Sequence, residues 1–285
     1  MQKTLNKKIL NGGGGFTLIE LLVVIAVIGM LASIVLVSLK GTREKTSIAK
    51  GKNLSSQIAH VLGIEARGIW HFEETSGPSL DSSGYGGNGT WNNVQSKTVA
   101  ECGLDLGGCL YFNGNANVDV GSSSAQGLQN TVTVSAWVYY SGDPSWRTYF
   151  GRKSWATQQF FNLAYNINCG PTVPWMVYYG NFQSFCWGDD LRNQWVHLVV
   201  TYDSSLSSAN FKTYQNGVAK QTRNFNGIAI LDGSASLIGN SVDVRPWNGY
   251  IDEVAIYAAT FTAGEIQQLY AEGAPRHQVA SVPGM

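Results

Sequence analysis

Charge is scarce in this chain: Asp, Glu, Lys and Arg make up 13% of the 285 residues, against a hydrophobic share of 44%. Such a composition excludes intrinsic disorder, and its many polar residues exclude a chain embedded in lipid throughout. Proline is scarce too, with 7 in all and none before residue 78. Cysteine is limited to four residues, Cys102, Cys109, Cys169 and Cys186. They are too few and wrongly spaced for a zinc site. Each consecutive pair closes a short loop, which points to local disulfides Cys102–Cys109 and Cys169–Cys186 in an oxidising compartment, with buried free thiols as the alternative. What is abundant is Gly (33), Tyr (13) and Trp (9), the composition of short strands joined by tight turns.

The net charge is zero but unevenly spread. Residues 1–68 hold nine Lys and Arg against Glu20, Glu44 and Glu65, which leaves 10 basic and 16 acidic side chains, about −6, for the remainder. A basic foot and an acidic body follow, and an acidic body argues against nucleic-acid binding.

The N-terminal 15 residues are short and polar, contain Lys3, Lys7 and Lys8, and end in four glycines, Gly12 to Gly15. Phe16 then opens a run of 24 residues to Leu39 whose only charge is Glu20. At about 1.5 Å per residue, a helix of that length crosses a bilayer core. The lysines that precede it orient the N-terminus to the cytoplasm. After Leu39 the pattern turns amphipathic, with Ile48, Leu54, Ile58, Val61, Leu62 and Ile64 at helical spacing, so one long helix is expected to about Glu65.

A secretory signal would place its cleavage site after the apolar run. Here the glycines come before it. Gly15-Phe16-Thr17-Leu18-Ile19-Glu20 resembles the class III signal of type IV pilins and pseudopilins. The resemblance implies cleavage between Gly15 and Phe16 by prepilin peptidase, methylation of the new N-terminus, and retention of the helix as membrane anchor and filament core. It also implies that Glu20, a carboxylate costly to place in an apolar helix, pairs with the Phe16 amine of a neighbouring subunit.

From Gly68 onward helical periodicity gives way to short strand-like runs. These are 69–72, 110–112, 118–120, 131–139, 160–165, 175–179, 195–202, 211–214, 237–238 and 250–257, punctuated by Gly, Asn, Asp and Ser. Asn216-Gly217 is a hairpin signal, and 131–139 alternates as a half-buried strand does. About ten strands suggest an antiparallel two-sheet sandwich. Thr262-Ala263-Gly264-Glu265 is a capping box that opens a short helix through Tyr270.

The order of these pieces resembles laminin-G-like (concanavalin A-like) jelly rolls. Trp70-His71-Phe72-Glu73-Glu74 comes first, then Asp81-Ser82-Ser83-Gly84, Leu110-Tyr111-Phe112-Asn113-Gly114 and Thr133-Val134-Ser135-Ala136-Trp137-Val138. Trp195 to Asp203, Tyr214 to Val218 and Gly249 to Tyr257 follow. The expected organisation is a leader at 1–15, a transmembrane and amphipathic helix at 16–66, the sandwich head at 68–272 and a tail at 273–285.

Enzymatic members of the wider fold use carboxylates at alternate positions of one strand. This chain has no Glu-x-Asp-x-x-Glu run. Glu73-Glu74, Asp189-Asp190 and Asp252-Glu253 are adjacent pairs, which in a strand point to opposite faces. A non-catalytic head is expected, with no required cofactor. By the resemblance, Asp252, with Asp81 and Asn88 from the early turn, is a candidate ligand set for structural calcium. The alternative is that Asp81 and Asp252 hydrogen-bond turn and edge amides. His71 and His197 are read as packing residues and His277 as part of the tail. Trp146, Trp155, Trp175, Tyr178, Tyr179 and Trp187 are candidates for stacking on a glycan, whereas Trp137 and Trp195 belong in the core. The expected protein is a filament subunit, held in the inner membrane before assembly, that exposes its head on a pilus for glycan or protein binding. Its expected partners are other pilin subunits and the prepilin peptidase. The alternative is a pseudopilin of a periplasmic secretion machine with a purely structural head.

Overall fold

The structure, a computed structural model, describes residues 18–28, 66–104, 107–122, 128, 130–142, 146–152, 161–165, 174–178, 183–190, 192–225, 235–241 and 244–277. The chain divides into two compact units, Met1–Ala49 and Lys50–Met285. In the first, residues 18–28 form a helix, α1. Its nine large apolar side chains are 46% to 81% exposed. Of the expected 16–66 helix, residues 16–17 and 29–65 lie outside the described residues, as does Gly15, and Ala66 belongs to a strand, not to the helix. Among the described residues no helix is long and apolar enough to cross a membrane.

The second unit is a two-sheet antiparallel sandwich. Its elements in chain order are β1 (Ala66–Trp70), β2 (Thr90–Asn92), β3 (Gln95–Lys97), α2 (Val99–Cys102), β4 (Cys109–Asn113), β5 (Asn117–Ser122) and β6 (Thr131–Tyr140). Next come β7 (Arg147–Arg152), β8 (Phe161–Tyr165), β9 (Pro174–Tyr178), β10 (Gln183–Cys186) and β11 (Trp195–Asp203). The chain closes with β12 (Phe211–Gln215), β13 (Val218–Arg223), β14 (Ala235–Ile238), β15 (Asn248–Tyr257) and α3 (Ala263–His277). One sheet runs β13-β12-β11-β6-β15-β4-β3, with β1 also paired to β15; the other runs β10-β9-β8-β7-β14-β5-β2.

Every expected strand is present, within a few residues at its ends. Asn216 and Gly217 turn β12 into β13 with φ of 51° and 76°, the left-handed pair that a tight hairpin requires. The half-buried reading of β6 needs correction. Val132, Val134, Ala136, Val138 and Tyr140 face the core between the sheets. Trp137 and Tyr139, on the opposite face, are buried as well, against Trp195, Tyr250 and Ala274. Around Trp137 and Tyr139 the outer face of the larger sheet is covered by α3 and by Cys102 and Leu104.

That helix also moves the expected boundary. Its capping box forms as the sequence suggests: Thr262 N donates to Glu265 Oε2 (2.6 Å) and Glu265 N to Thr262 Oγ1 (3.3 Å). The helix continues past Tyr270 and past residue 272 to His277, with Ile266, Ala274 and His277 buried. His277 is therefore part of the folded head, not of a tail. Gly273 lets the helix approach closely, since a Cβ there would sit 2.5 Å from Trp137 Nε1.

The inner core includes Trp70, Phe72, Phe112, Tyr140, Tyr149, Trp187, Tyr202, Phe211 and Trp247, all essentially without exposure. Each side chain of this size stabilises the fold by about 1.5–3 kcal/mol relative to an exposed one.

Candidate functional site

Two constellations of the head bring together residues distant in sequence. The first surrounds Arg276, near the end of α3. Its guanidinium meets Glu73 Oε1 at 2.8 Å, Asp252 Oδ2 at 2.9 Å and Glu253 Oε1 at 2.6 Å, and donates to Gly108 O at 2.9 Å. Glu73 Oε2 accepts from Gly108 N at 2.8 Å. His277 Nε2 lies 3.0 Å from Asp252 Oδ2, and the Asp252 side chain has no exposure. His71 Nδ1 lies 2.5 Å from Glu253 Oε2, and its Nε2 lies 3.0 Å from Ser82 Oγ.

Asp252 and Glu253 do not point to opposite faces, as the adjacent-pair argument expects. A bulge interrupts the β15–β6 register between Asp252 and Ala255, and Glu253 has φ +46°. The bulge turns both carboxylates to one guanidinium. Glu74 instead accepts from Leu80 N at 3.0 Å, Asp189 pairs with Lys220 at 2.5 Å, and Asp190 with Arg192 at 3.1 Å.

The electrostatics follow from burial and pairing. Burial alone would raise Glu253, but the hydrogen bond and charge of His71, with Arg276 and His277 beyond, push it down to about 2. Burial works against a charged His71, yet the Glu253 bond and charge hold the imidazole above its ordinary value. Glu73 is raised, because burial outweighs the nearby Arg276. His197, fully buried, is pushed down to about 3 by burial and by His277. Its Nε2 lies 2.8 Å from Ser135 Oγ, and its ring stacks on Trp137 at 5.0 Å. The ring of His277 also stacks on Trp137, at 4.1 Å. His197 is thus the packing residue the sequence suggests, while His71 serves an ion pair.

The second constellation is the turn 81–88. Asp81 Oδ1 accepts from Ile69 N (2.9 Å) and Ser83 N (2.8 Å), and Oδ2 from Ser83 Oγ (2.8 Å) and Gly87 N (2.9 Å). Asn88 Oδ1 accepts from Asp81 N at 2.9 Å. The candidate calcium ligands therefore do not fit as one set. Asp81 already takes four donors, Asp252 faces a guanidinium, and a calcium ion needs six to eight oxygens. No three His, Cys, Asp or Glu side chains gather as a metal site among the described residues.

The cysteines stand as follows. Cys102 and Cys109 are joined, as expected from their spacing. Cys186, at the end of β10, is also disulfide-bonded; Cys169 lies outside the described residues.

The aromatic candidates scatter. Trp187 is 2% exposed in the core, so its ring is not open to a sugar. Trp146 is half-buried, with the Arg245 guanidinium 3.7 Å over its ring. Trp175 and Tyr178 lie on β9, of which only the backbone is described, and Trp155 and Tyr179 lie outside the described residues. Trp137 and Trp195 are buried as expected, on the outer face under α3.

Residues 112–267 match the profile of the concanavalin A-like lectin/glucanases superfamily, more than half of the chain. The chain belongs to that superfamily. Residues 11–36 match the prokaryotic N-terminal methylation motif, which marks the segment as a prepilin signal. No curated protein matches the chain.

Among solved structures, the lectin-like head is similar to domain 4 of the extracellular arabinanase AbnA from Geobacillus stearothermophilus, solved in complex with arabinotriose. Identity is 21%, the match covers 73% of this chain and 98% of that one, and the TM-score is 0.55. It is also similar to the receptor binding domain of botulinum neurotoxin mosaic serotype C/D, at 13% identity, 73% and 50% coverage and a TM-score of 0.58. The binding domain of Paraclostridial Mosquitocidal Protein 1 matches at 14% identity, 72% and 52% coverage and a TM-score of 0.55. The chain spans about half the length of the last two. At these identities the likeness shows the fold alone.

Sequence reasoning missed the part Arg276 and His277 play. A signal was present: Ile266, Tyr270, Ala274 and His277 continue the helical spacing beyond residue 272, although Gly273 and Pro275 obscure it.

Proposed function

We propose that this pilin-like chain is the subunit of a surface pilus and that its lectin-like head is displayed for adhesion to a glycan or protein. The observation that carries the reading is the methylation motif at residues 11–36, within which α1 carries exposed apolar side chains all round with Glu20 as its one charge. A helix whose every large side chain stands open requires lipid or neighbouring helices as its surroundings. It would rest in the inner membrane before assembly, with the head outside, and pack among other subunits afterwards. Prepilin peptidase would process it. A head of some 200 residues favours the pilus over a secretion pseudopilus, in which the filament itself does the work.

The head is read as non-catalytic. Glu73, Asp252 and Glu253 are bound to Arg276, which supports a structural role for these carboxylates and leaves them poorly placed for acid–base chemistry.

Glu20 lies in α1, in the unit Met1–Ala49, and the head lies in the unit Lys50–Met285. Glu20→Val is expected to leave the head folded and membrane accumulation unchanged, because it removes a carboxylate costly in lipid. Filament yield should fall sharply, since the pairing with a neighbour's Phe16 amine is lost, and Glu20→Asp should restore part of it. Wild-type filament yield from Glu20→Val would overturn the assembly reading.

A further inference from the structure

Of the glycan candidates read from the sequence, Trp187 is buried and Trp146 is covered by Arg245, whereas a different aromatic is exposed on the sandwich. Tyr85 is 47% exposed, and the Arg67 guanidinium lies 4.5 Å from its ring centroid. Both line a depression of about 230 Å³ with Gly86, Gly87, Asn88 and Val120. Its walls come from three places: β1, the 84–88 turn, and β5 of the opposite sheet.

We propose that this depression binds one sugar ring, a pyranose at the end of a glycan chain. The class of ligand follows from size and chemistry. The volume is below the roughly 300–1,000 Å³ of sites for larger small molecules, so one ring fits and an oligosaccharide does not. The lining offers one aromatic ring for the C–H face of a sugar, with the Arg67 guanidinium, the Asn88 carboxamide and the exposed backbone of Gly86 for its hydroxyls.

The site is also built in advance. Asp81 pins the turn through its four hydrogen bonds, Asn88 clamps it from the other end, and Trp70 Nε1 donates to Gly87 O at 2.9 Å. Trp70 is fully buried, so the floor of the site is anchored in the core. A ligand would therefore meet a surface that loses little freedom on binding. This assigns the Asp81–Asn88 turn a role as scaffold for a sugar site.

The proposal rests on the reading of the head as a glycan-binding domain, and the experiment separates the two. Full-length protein in detergent micelles is titrated with methyl glycosides of glucose, galactose, arabinopyranose and glucuronic acid, followed by saturation-transfer NMR. In parallel the same protein is applied to a glycan array. Tyr85→Ala should weaken binding of the preferred glycoside about tenfold. Tyr85→Phe should retain it, and Arg67→Met should weaken it without unfolding the head. Array binding that Tyr85→Ala and Arg67→Met leave unchanged overturns this site but leaves a glycan-binding head intact. No binding to any glycoside or array glycan overturns both.

Discussion

Arg276 offers the sharpest test of how the head closes. Its guanidinium, 15% exposed, is shared by Glu73, Asp252 and Glu253, and Asp252 has no contact with water. Arg276→Met keeps the length and apolar stem of the side chain but leaves Asp252 buried beside His277 alone. Removing one partner of a buried ion pair costs about 3–5 kcal/mol, because the remaining charge stays desolvated. At about 2–4 °C per kcal/mol for a domain of this size, the melting temperature should fall by roughly 10 °C. Thermal unfolding of the full chain in detergent, followed by tryptophan fluorescence, reads this directly through the buried Trp137 and Trp195. Asp252→Asn in the Arg276→Met background should recover part of the loss, as coupled residues do. Truncation after residue 272 should destabilise at least as much as Arg276→Met. A melting temperature lowered by less than about 2 °C in Arg276→Met would show that the cluster is not a clasp.

Other outcomes follow from single features. The Cys102–Cys109 bridge spans a sequence separation of 7, and its removal by Cys102→Ser should cost about 2 kcal/mol in urea unfolding, comparable to the effect of reductant on the native chain. His197 is held neutral, at about 3 against an ordinary 6.5. A depressed imidazole contributes stability that is fully present above pH 6.5 and lost as pH falls toward 3. Relative to His197→Gln, the native chain should thus lose about 1.4 kcal/mol per pH unit across that window. A native chain and His197→Gln with parallel stability-versus-pH curves would refute the burial argument. Gly15→Ala should leave the precursor uncut, which electrophoresis of membrane fractions reads as retention of the leader's mass.

Much of the fold is legible in the sequence because strands buried on at least one face carry their period openly. Val132 to Val138 and Trp195 to Tyr202 are found where apolar runs place them. Five strands escaped notice, each with too little period to read. β13 is an edge strand with four of its six residues exposed, and β2 and β3 have three residues each. β7 has a buried apolar centre, Tyr149-Phe150, too short between Arg147 and Arg152 to show a period, and β10 has four residues. The prepilin motif is legible for a different reason: it is a run of local sequence, residues 11–36, that needs no partner elsewhere in the chain. The charged cluster is not local. Glu73 and Arg276 lie on opposite ends of the head's sequence, and the β15 bulge that turns Glu253 toward them depends on pairing with β6. Burial likewise decides which aromatics are open. Trp187 and Tyr85 are both followed by glycine, yet one is in the core and the other faces solvent.

The central claim is that this chain is processed at Gly15-Phe16 and assembled into a filament that displays its head. N-terminal mass spectrometry of the protein recovered from sheared surface filaments tests it most directly. The expected chain begins at Phe16 with a methylated amine. An intact Met1, or an N-terminus beyond Leu39, would contradict it.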